Sequence, residues 1–276
     1  IGMDYCFLTE DTGSATVTVL IIKDRDARVI MAHPVLCKGR GQEDTVAQAV
    51  ESIQRVGNPG RLVLQTDNEP ALVDLRKEVS EALPGQVVQE APPAYEPQSN
   101  GSIENGVKQV KGLVRTLMLA LQERIQGEVP VDHPVMLWLI EHAAELIAKF
   151  QVGHGGKTPF MRLFGKPCRD EGYEFGEQVF YKKTVEGIRS MGARWAEGIW
   201  LGRRWGTNTH IVATGPTEVC EVRAIMRRQV HERWSLEALQ NLRATPWLWK
   251  CPPELARSEP QVVPHAAQGE QAPPPP

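Results

Sequence analysis

The sequence lacks any apolar run approaching the roughly 18 to 20 residues that cross a bilayer, and no membrane partner is expected. Its first residues, Ile1-Gly2-Met3-Asp4, carry neither an initiator Met nor the basic-then-apolar pattern of a secretory leader. Cysteine is scarce: Cys6, Cys37, Cys168, Cys220 and Cys251 stand singly, with no C-x-x-C pair. An odd, scattered set excludes a disulfide framework and predicts a reducing compartment. The seven histidines are equally dispersed and none sits at H-x3-5-H spacing, which excludes a His/Cys zinc module from this chain.

What is present is ordinary globular composition: 276 residues, 41% hydrophobic and 24% charged, with 24 Gly and 21 Pro. That length supports a sizeable buried core and, at about 150 residues per domain, two domains. The chain opens on what reads as the inside of a strand, so a piece cut from a larger precursor is expected. The net charge of −3 conceals a split. Residues 1–156 hold 14 Lys and Arg against 21 Asp and Glu, residues 157–250 hold 16 against 10, and the tail 251–276 holds 1 against 3. An acidic first half joined to a basic second half favours nucleic-acid contact in the second, although a surplus of this size is also common on surfaces.

Periodicity divides the chain further. Ile1–Leu8, Thr16–Lys23 and Arg28–Leu36 read as a three-stranded meander. Glu43–Val56 has the helical period, Arg61–Gln65 is a short apolar strand, Pro70–Leu83 is a helix with Pro in its first turn, and Gln86–Gln89 is a further strand. The order βββαβαβ predicts a mixed sheet with helices on its faces. Residues 91–100 hold three prolines and predict a loop. Beyond Gly101, Ile103, Val107, Val110, Val114, Leu117, Met118, Leu121 and Ile125 line one face of a long helix, and Val135–Phe150 and Thr158–Phe164 predict two more. From Glu177 the grain changes to short strand-like pieces, Gln178–Lys182, Trp195–Leu201, His210–Ala213 and Glu218–Ala224, which suggest a small β-barrel. The Pro-rich end reads as disordered. The expected layout is a core over 1–167, a linker over 168–176, a small basic β-rich domain over 177–250 and a tail over 251–276.

Three carboxylates occupy unusual places. Asp4 lies within a strand, where Asp is disfavoured; Asp67 sits where an apolar strand stops; Glu104 lies in the first turn of the long helix. Strand ends and helix starts of a mixed sheet are where reactive groups converge, and carboxylates gathered there call for a hard divalent cation. Each residue also has a plainer reading: Asp67-Asn68 is a turn signal, Glu104 suits a helix N-terminus, and Asp4 belongs to a frayed end. At 100° per residue, Lys108, Lys111 and Arg115 fall within roughly 40° of Glu104. A carboxylate followed by three cations on one helix face suits a DNA strand lying along the helix.

The run Tyr95-Glu96-Pro97-Gln98-Ser99-Asn100-Gly101-Ser102-Ile103-Glu104 resembles the Y-x-P-Q-S-N-G-x-x-E signature of retroviral and LTR-retrotransposon integrases. Thr66-Asp67-Asn68 is similar to their T-D-N-G strand end, with Glu69 where Gly is usual, and Asp4 matches their first-strand carboxylate. Thr158-Pro159-Phe160-Met161-Arg162-Leu163-Phe164-Gly165-Lys166-Pro167 is similar to the T-P-Y-E-x-L-x-G-x-x-P segment of copia-like elements. The resemblance covers residues 1 to about 167. It implies an RNase H-like α/β core, a mixed sheet flanked by helices, followed by a small SH3-like barrel.

The resemblance further implies a polynucleotidyl transferase in which Asp4, Asp67 and Glu104 hold two Mg²⁺ or Mn²⁺ ions for 3′-end processing and strand transfer. No covalent enzyme intermediate is needed, in keeping with the lack of a Ser/His/Asp or Cys/His arrangement. DNA contacts are expected from Gln98, Ser99, Asn100, Lys108, Lys111, Arg115, Arg203 and Arg204. Trp195, Trp200 and Trp205 either line that DNA face or fill the barrel core. The implied partners are element and target DNA and further copies of the chain, the implied compartment is the nucleus, and Val135–Phe150 is either an interface or core. The family's N-terminal zinc module is missing here and would lie upstream. Glu69 is read as a ligand, a supporting group or a mark of decay. Two alternatives stand beside this reading: a domesticated or decayed domain that binds nucleic acid without catalysis, and an RNase H-like nuclease that cuts without joining.

Overall fold

The computed structural model describes residues 1–9, 15–39, 43–57, 60–90, 101–153, 155–170, 172–183, 192–205 and 207–247. The first three strands, β1 (Gly2–Thr9), β2 (Thr16–Lys23) and β3 (Ile30–Val35), form an antiparallel meander. β4 (Leu62–Thr66) and β5 (Val87–Glu90) add in parallel beside β1, giving the order β3-β2-β1-β4-β5. A parallel neighbour requires a crossover, and helices supply it: α1 (Glu43–Val56) leads from β3 to β4, and α2 (Pro70–Ala82) from β4 to β5. The mixed five-stranded sheet flanked by helices is the architecture expected of an RNase H-like core.

The strand period of two divides the sheet into two faces. Met3, Tyr5, Leu20, Ile22 and Leu64 pack on one side with Ile53 of α1 and Leu72 and Leu75 of α2. Cys6, Val17, Val19 and Ile21 pack on the other against α3 (Gly101–Ile125) and α4 (Pro134–Phe150). β2 is buried on both faces, which is why it reads as an almost continuous apolar run. α3 buries Ile103, Gly106, Val110, Val114, Leu121 and Ile125. It approaches the sheet closely because Gly106 has no side chain; a Cβ there would lie 3.2 Å from Lys23 Cδ.

After α5 (Pro159–Phe164), capped by the Thr158 hydroxyl accepting from the Met161 N–H at 3.1 Å, come β6 (Gln178–Lys182), β7 (Trp195–Arg203), β8 (His210–Ala213), β9 (Val219–Val222) and β10 (Ile225–Arg227), then α6 (Leu236–Gln240). They form a second, antiparallel sheet ordered β10-β6-β7-β8-β9. The single strand expected over Glu218–Ala224 is broken near Arg223, since β9 pairs with β8 while β10 crosses back to pair with β6.

The two sheets share one apolar core. Ile199, Leu201, Ile211, Ala213, Leu239, Leu242 and Ala244 pack with the α3/α4 layer of the first sheet. α4 is consequently buried around most of its circumference, including Val135 through Ile140, Ala143, Ala144, Ile147 and Ala148. The Trp138 indole N–H donates to the Ala244 carbonyl at 2.9 Å. The stretch expected as interface or core is thus core within this chain. Ions bridge the same junction: Lys149 pairs with both Glu145 and Asp170, and Arg203 reaches Asp170 at 2.9 Å. Burial alone would raise the Glu145 carboxyl, but His142 and Lys149 reverse this and hold it below its usual range. The Pro-rich tail lies outside the described residues.

Candidate active site

The parallel register of β1 and β4 builds the site. Gly2 lies beside Gln65 and Met3 beside Thr66, so Asp67, the residue that follows the end of β4, comes near Asp4, whose carboxyl its charge raises. Alternation along β1 puts Asp4 on the same face as Cys6, the face covered by α3. β4 ends at Thr66 whereas β1 continues to Thr9. The edge of β1 from Asp4 onward is therefore left without β4 as a neighbour at the carboxyl end of β4, the usual ligand-binding position in an open α/β sheet.

Burial pushes the Asp4 carboxyl above its ordinary range. Donation by the Tyr5 backbone lowers it, the negative charge of Asp67 raises it, Lys38 lowers it and Glu69 raises it. Asp67 itself is exposed and accepts the Asn68 backbone N–H at 2.7 Å. The charge of Asp67 thus bears on a carboxyl already disfavoured in its charged form.

Glu104 comes near through α3. Lys23 Nζ donates to the Ser102 carbonyl at 2.8 Å, and Ile103 packs on Gly2, where an added Cβ would stand 3.4 Å from the Ile103 Cβ. Glu104 follows directly, on the exposed side of the helix. Among the described residues, no three His, Cys, Asp or Glu side chains are grouped so as to hold a metal ion. The fold brings Asp67 near Asp4 and Glu104's helix turn to β1 without closing the three into one chelate.

The cations of α3 follow the helical face as expected. Lys108 and Arg115 are exposed, Lys111 is half-buried, and none of the three has a carboxylate partner among the described residues. Lys111 and Asp4 both act on Cys6, whose thiol burial raises to about 11. This face therefore runs from the acidic strand end onto cations that have no carboxylate partner among the described residues. Gln98, Ser99 and Asn100 lie outside the described residues.

Arg203 and Arg204 are differently placed. Arg203 donates to Asp170 and to Asn208, both at 2.9 Å, and Arg204 pairs with Glu51 at 2.9 Å and Glu221 at 3.2 Å. These guanidiniums face carboxylates of neighbouring elements and join the second sheet to the first part of the chain. Trp200 is buried core, and Trp205 packs on Phe160 and Phe164 with ring centroids 6.0 and 5.9 Å away.

Two features escaped the reading of the sequence. Lys38, just past β3, binds both carboxylate oxygens of Glu69 at 2.8 and 3.0 Å. A signal existed only in Glu69's departure from the motif; its partner lies 31 positions away. Second, Lys182 and Lys183 at the end of β6, Arg194 before β7 and Arg223 between β9 and β10 meet at one end of the second sheet. All four are exposed and lack a carboxylate partner among the described residues.

The sequence matches no family model and no curated protein. The chain is similar to solved retroviral integrase structures. One is the simian T-cell lymphotropic virus intasome in complex with PP2A regulatory subunit B56 gamma, at 15% identity and TM-score 0.47, covering 83% of this chain and 77% of that one. Another is the dimeric HTLV-2 integrase catalytic core domain in complex with magnesium, at 17% identity and TM-score 0.42, covering 58% of this chain and 91% of that one. A third is the BIV integrase catalytic core, at 17% identity and TM-score 0.38, covering 59% and 93%. No helix among the described residues is long and apolar enough to cross a membrane.

Proposed function

We propose that this chain is the integrase of an LTR retroelement of copia-like type, a polynucleotidyl transferase that trims the 3′ ends of element DNA and joins them to target DNA. The observation that carries the reading is the Asp4/Asp67 pair, set together by the β1/β4 register at the mouth of a mixed sheet. It sits beside a helix whose first turn holds the G-x-x-E end of the motif and whose face continues with cations that have no carboxylate partner among the described residues. The second sheet's order, with its last strand returned to its first, supports an SH3-like module.

The donor chemistry suits Mg²⁺ or Mn²⁺. Asp4 and Asp67 offer hard oxygens, and their mutual repulsion is relieved by a divalent cation. Glu104 is assigned as the further ligand. Ions bound there would supply Lewis-acid polarisation of the phosphodiester and activation of the attacking oxygen. The chain's own residues provide the rest. The end of β4 fixes Asp67 against Asp4, while Lys108, Lys111 and Arg115 neutralise backbone phosphates and orient the strand. Gln98, Ser99 and Asn100 are assigned to the same strand. Further copies of the chain complete the assembly, and the nucleus, where chromosomal DNA lies, is its compartment.

The lack, among the described residues, of three carboxylates grouped to hold a metal favours one second reading, a domesticated or decayed domain that binds DNA without chemistry. A plasmid assay with element-end oligonucleotides and Mg²⁺ or Mn²⁺ separates the readings. Joined products that disappear in both Asp67→Asn and Glu104→Gln are expected. Binding without breakage or joining supports the second reading, and strand breaks without joining identify a nuclease.

A further inference from the structure

We propose that the cavity between α5 and the end of β7 is a binding site for an unpaired nucleotide, its base stacked on Phe164 and Trp205 and its phosphate held by Lys166 and Arg169. None of these residues belongs to the Asp4/Asp67 site, and the proposal holds whether or not the chain carries out strand transfer.

The cavity encloses about 540 Å³, within the range of about 300 to 1,000 Å³ that small-ligand sites occupy. One wall is α5 and the segment that follows it: Gly165, at φ +69°, ends the helix, and the chain from Lys166 to Asp170 then lines the space. Another wall comes from Arg204, Trp205 and Asn208, beyond the end of β7. Phe160 and Phe164, one turn apart on α5, have ring centroids 4.6 Å apart, and the Trp205 indole packs against both. These rings are not enclosed as a core would be. Phe164 is 42% exposed, and Phe160 and Trp205 are half-buried. The end of the segment Thr158–Pro167, which the integrase reading leaves without a role, thus builds an aromatic wall open to solvent.

Charge narrows what fills the space. Lys149, Lys166, Arg169 and Arg204 line it against one carboxylate, Asp170. That carboxylate is taken by Lys149 and by Arg203, while Arg204 is taken by Glu51 and Glu221. Lys166 and Arg169 are exposed and have no carboxylate partner among the described residues. The Asn208 side-chain oxygen accepts from Arg203 at 2.9 Å, which leaves its amide N–H donors for a base edge or a phosphate. A bare anion would make no use of the rings, and an uncharged aromatic would make no use of the cations. A nucleotide answers both with one flat base and one phosphate. In a duplex the base faces are stacked on one another, so only an unpaired base offers its face to an aromatic side chain.

The test is titration calorimetry of the full chain with adenosine monophosphate, with a 5′-phosphorylated deoxyadenosine trinucleotide and with pyrophosphate, circular dichroism confirming the fold of each variant. Run in EDTA, the titrations do not depend on the metal-site reading. The monophosphate is expected to bind with a Kd below about 1 mM, and pyrophosphate roughly tenfold or more weakly, since it lacks a base to stack. Phe164→Ala is expected to weaken both nucleotide ligands roughly tenfold, and Phe164→Tyr, which keeps the ring, to stay within about threefold of the parent. Lys166→Ala/Arg169→Ala is expected to cost roughly tenfold at low salt and to flatten the salt dependence. A trinucleotide that binds more tightly than the monophosphate assigns the site to an unpaired strand, and one that binds no more tightly assigns it to a free nucleotide; either result upholds the site. Absence of binding by the monophosphate at millimolar concentration, pyrophosphate binding as tightly as the monophosphate, or Phe164→Ala binding as the parent does each overturns the proposal.

Discussion

Lowering the pH should loosen the second sheet through one residue, His210. It is buried in β8, directly across the ladder from Arg203, and its Nδ1 accepts the Trp200 indole N–H at 3.2 Å. Protonation would turn that acceptor into a donor facing a donor. Burial, followed by the charge of Arg203, accordingly holds the His210 pKa down at about 4, against the opposing influence of Asp170 and Glu145. In the unfolded chain the imidazole titrates near 6.5. Between these values the unfolded state binds the extra proton, so stability rises with pH. The contribution is complete above pH 6.5, falls by about 2 kcal/mol at pH 5, and is lost through a pKa of about 4. At 2 to 4 °C per kcal/mol for a chain of this size, pH 5 costs roughly 4 to 8 °C in Tm. The assay is urea and thermal unfolding at pH 7.5 and 5.0 for the parent and for His210→Gln, whose amide oxygen still accepts from Trp200. Other titrating groups act alike in both proteins, so the difference in pH dependence belongs to His210. Equal losses in parent and variant refute the argument.

Further outcomes follow from the same structure. Lys149→Met leaves Glu145 and Asp170 buried with one cation fewer and should destabilise by about 3 to 5 kcal/mol in chemical unfolding; a change under about 1 kcal/mol would contradict the buried network. Asp67→Asn, in the absence of divalent ions, should raise stability at pH 7 by up to roughly 1 kcal/mol, by removing the negative charge that disfavours the ionised Asp4 carboxyl. Loss of stability in that variant would place the two carboxylates elsewhere. Replacing Lys182, Lys183 and Arg223 together by Ala should flatten the salt dependence of DNA binding by about 2 to 3 in log–log slope, at nearly 0.9 per phosphate contact. Arg203→Ala should instead lower stability, because its guanidinium is engaged by Asp170.

Much of this architecture is visible in local pattern. The β-branched run Thr16–Lys23 and the 3–4 period after Ile103 each place an element within a few residues of its observed bounds, because a strand buried on both faces and a helix burying one require those patterns. The prolines opening α2, α4 and α5 mark helix starts for an equally local reason, the missing N–H. The carboxylates at Asp4, Asp67 and Glu104 could likewise be singled out, from their misfit in a strand, their position at a strand end and their motif. Arg203 and Arg204 could not be assigned this way. Their surroundings in sequence are basic and aromatic, and the carboxylates that occupy them, Asp170 and Glu51, arrive from other elements.

What the sequence by itself determined, then, is which segments become strands or helices and which side chains are chemically competent, since both depend on neighbours along the chain. Pairing belongs to the tertiary structure: the β1/β4 register that brings Asp67 near Asp4, the packing of Ile103 on Gly2 that brings Glu104's helix turn to β1, and the ammonium of Lys38 closed on Glu69. Charges and hydrogen bonds act through space over a few ångströms, and only the folded path of the chain decides which residues come within that distance.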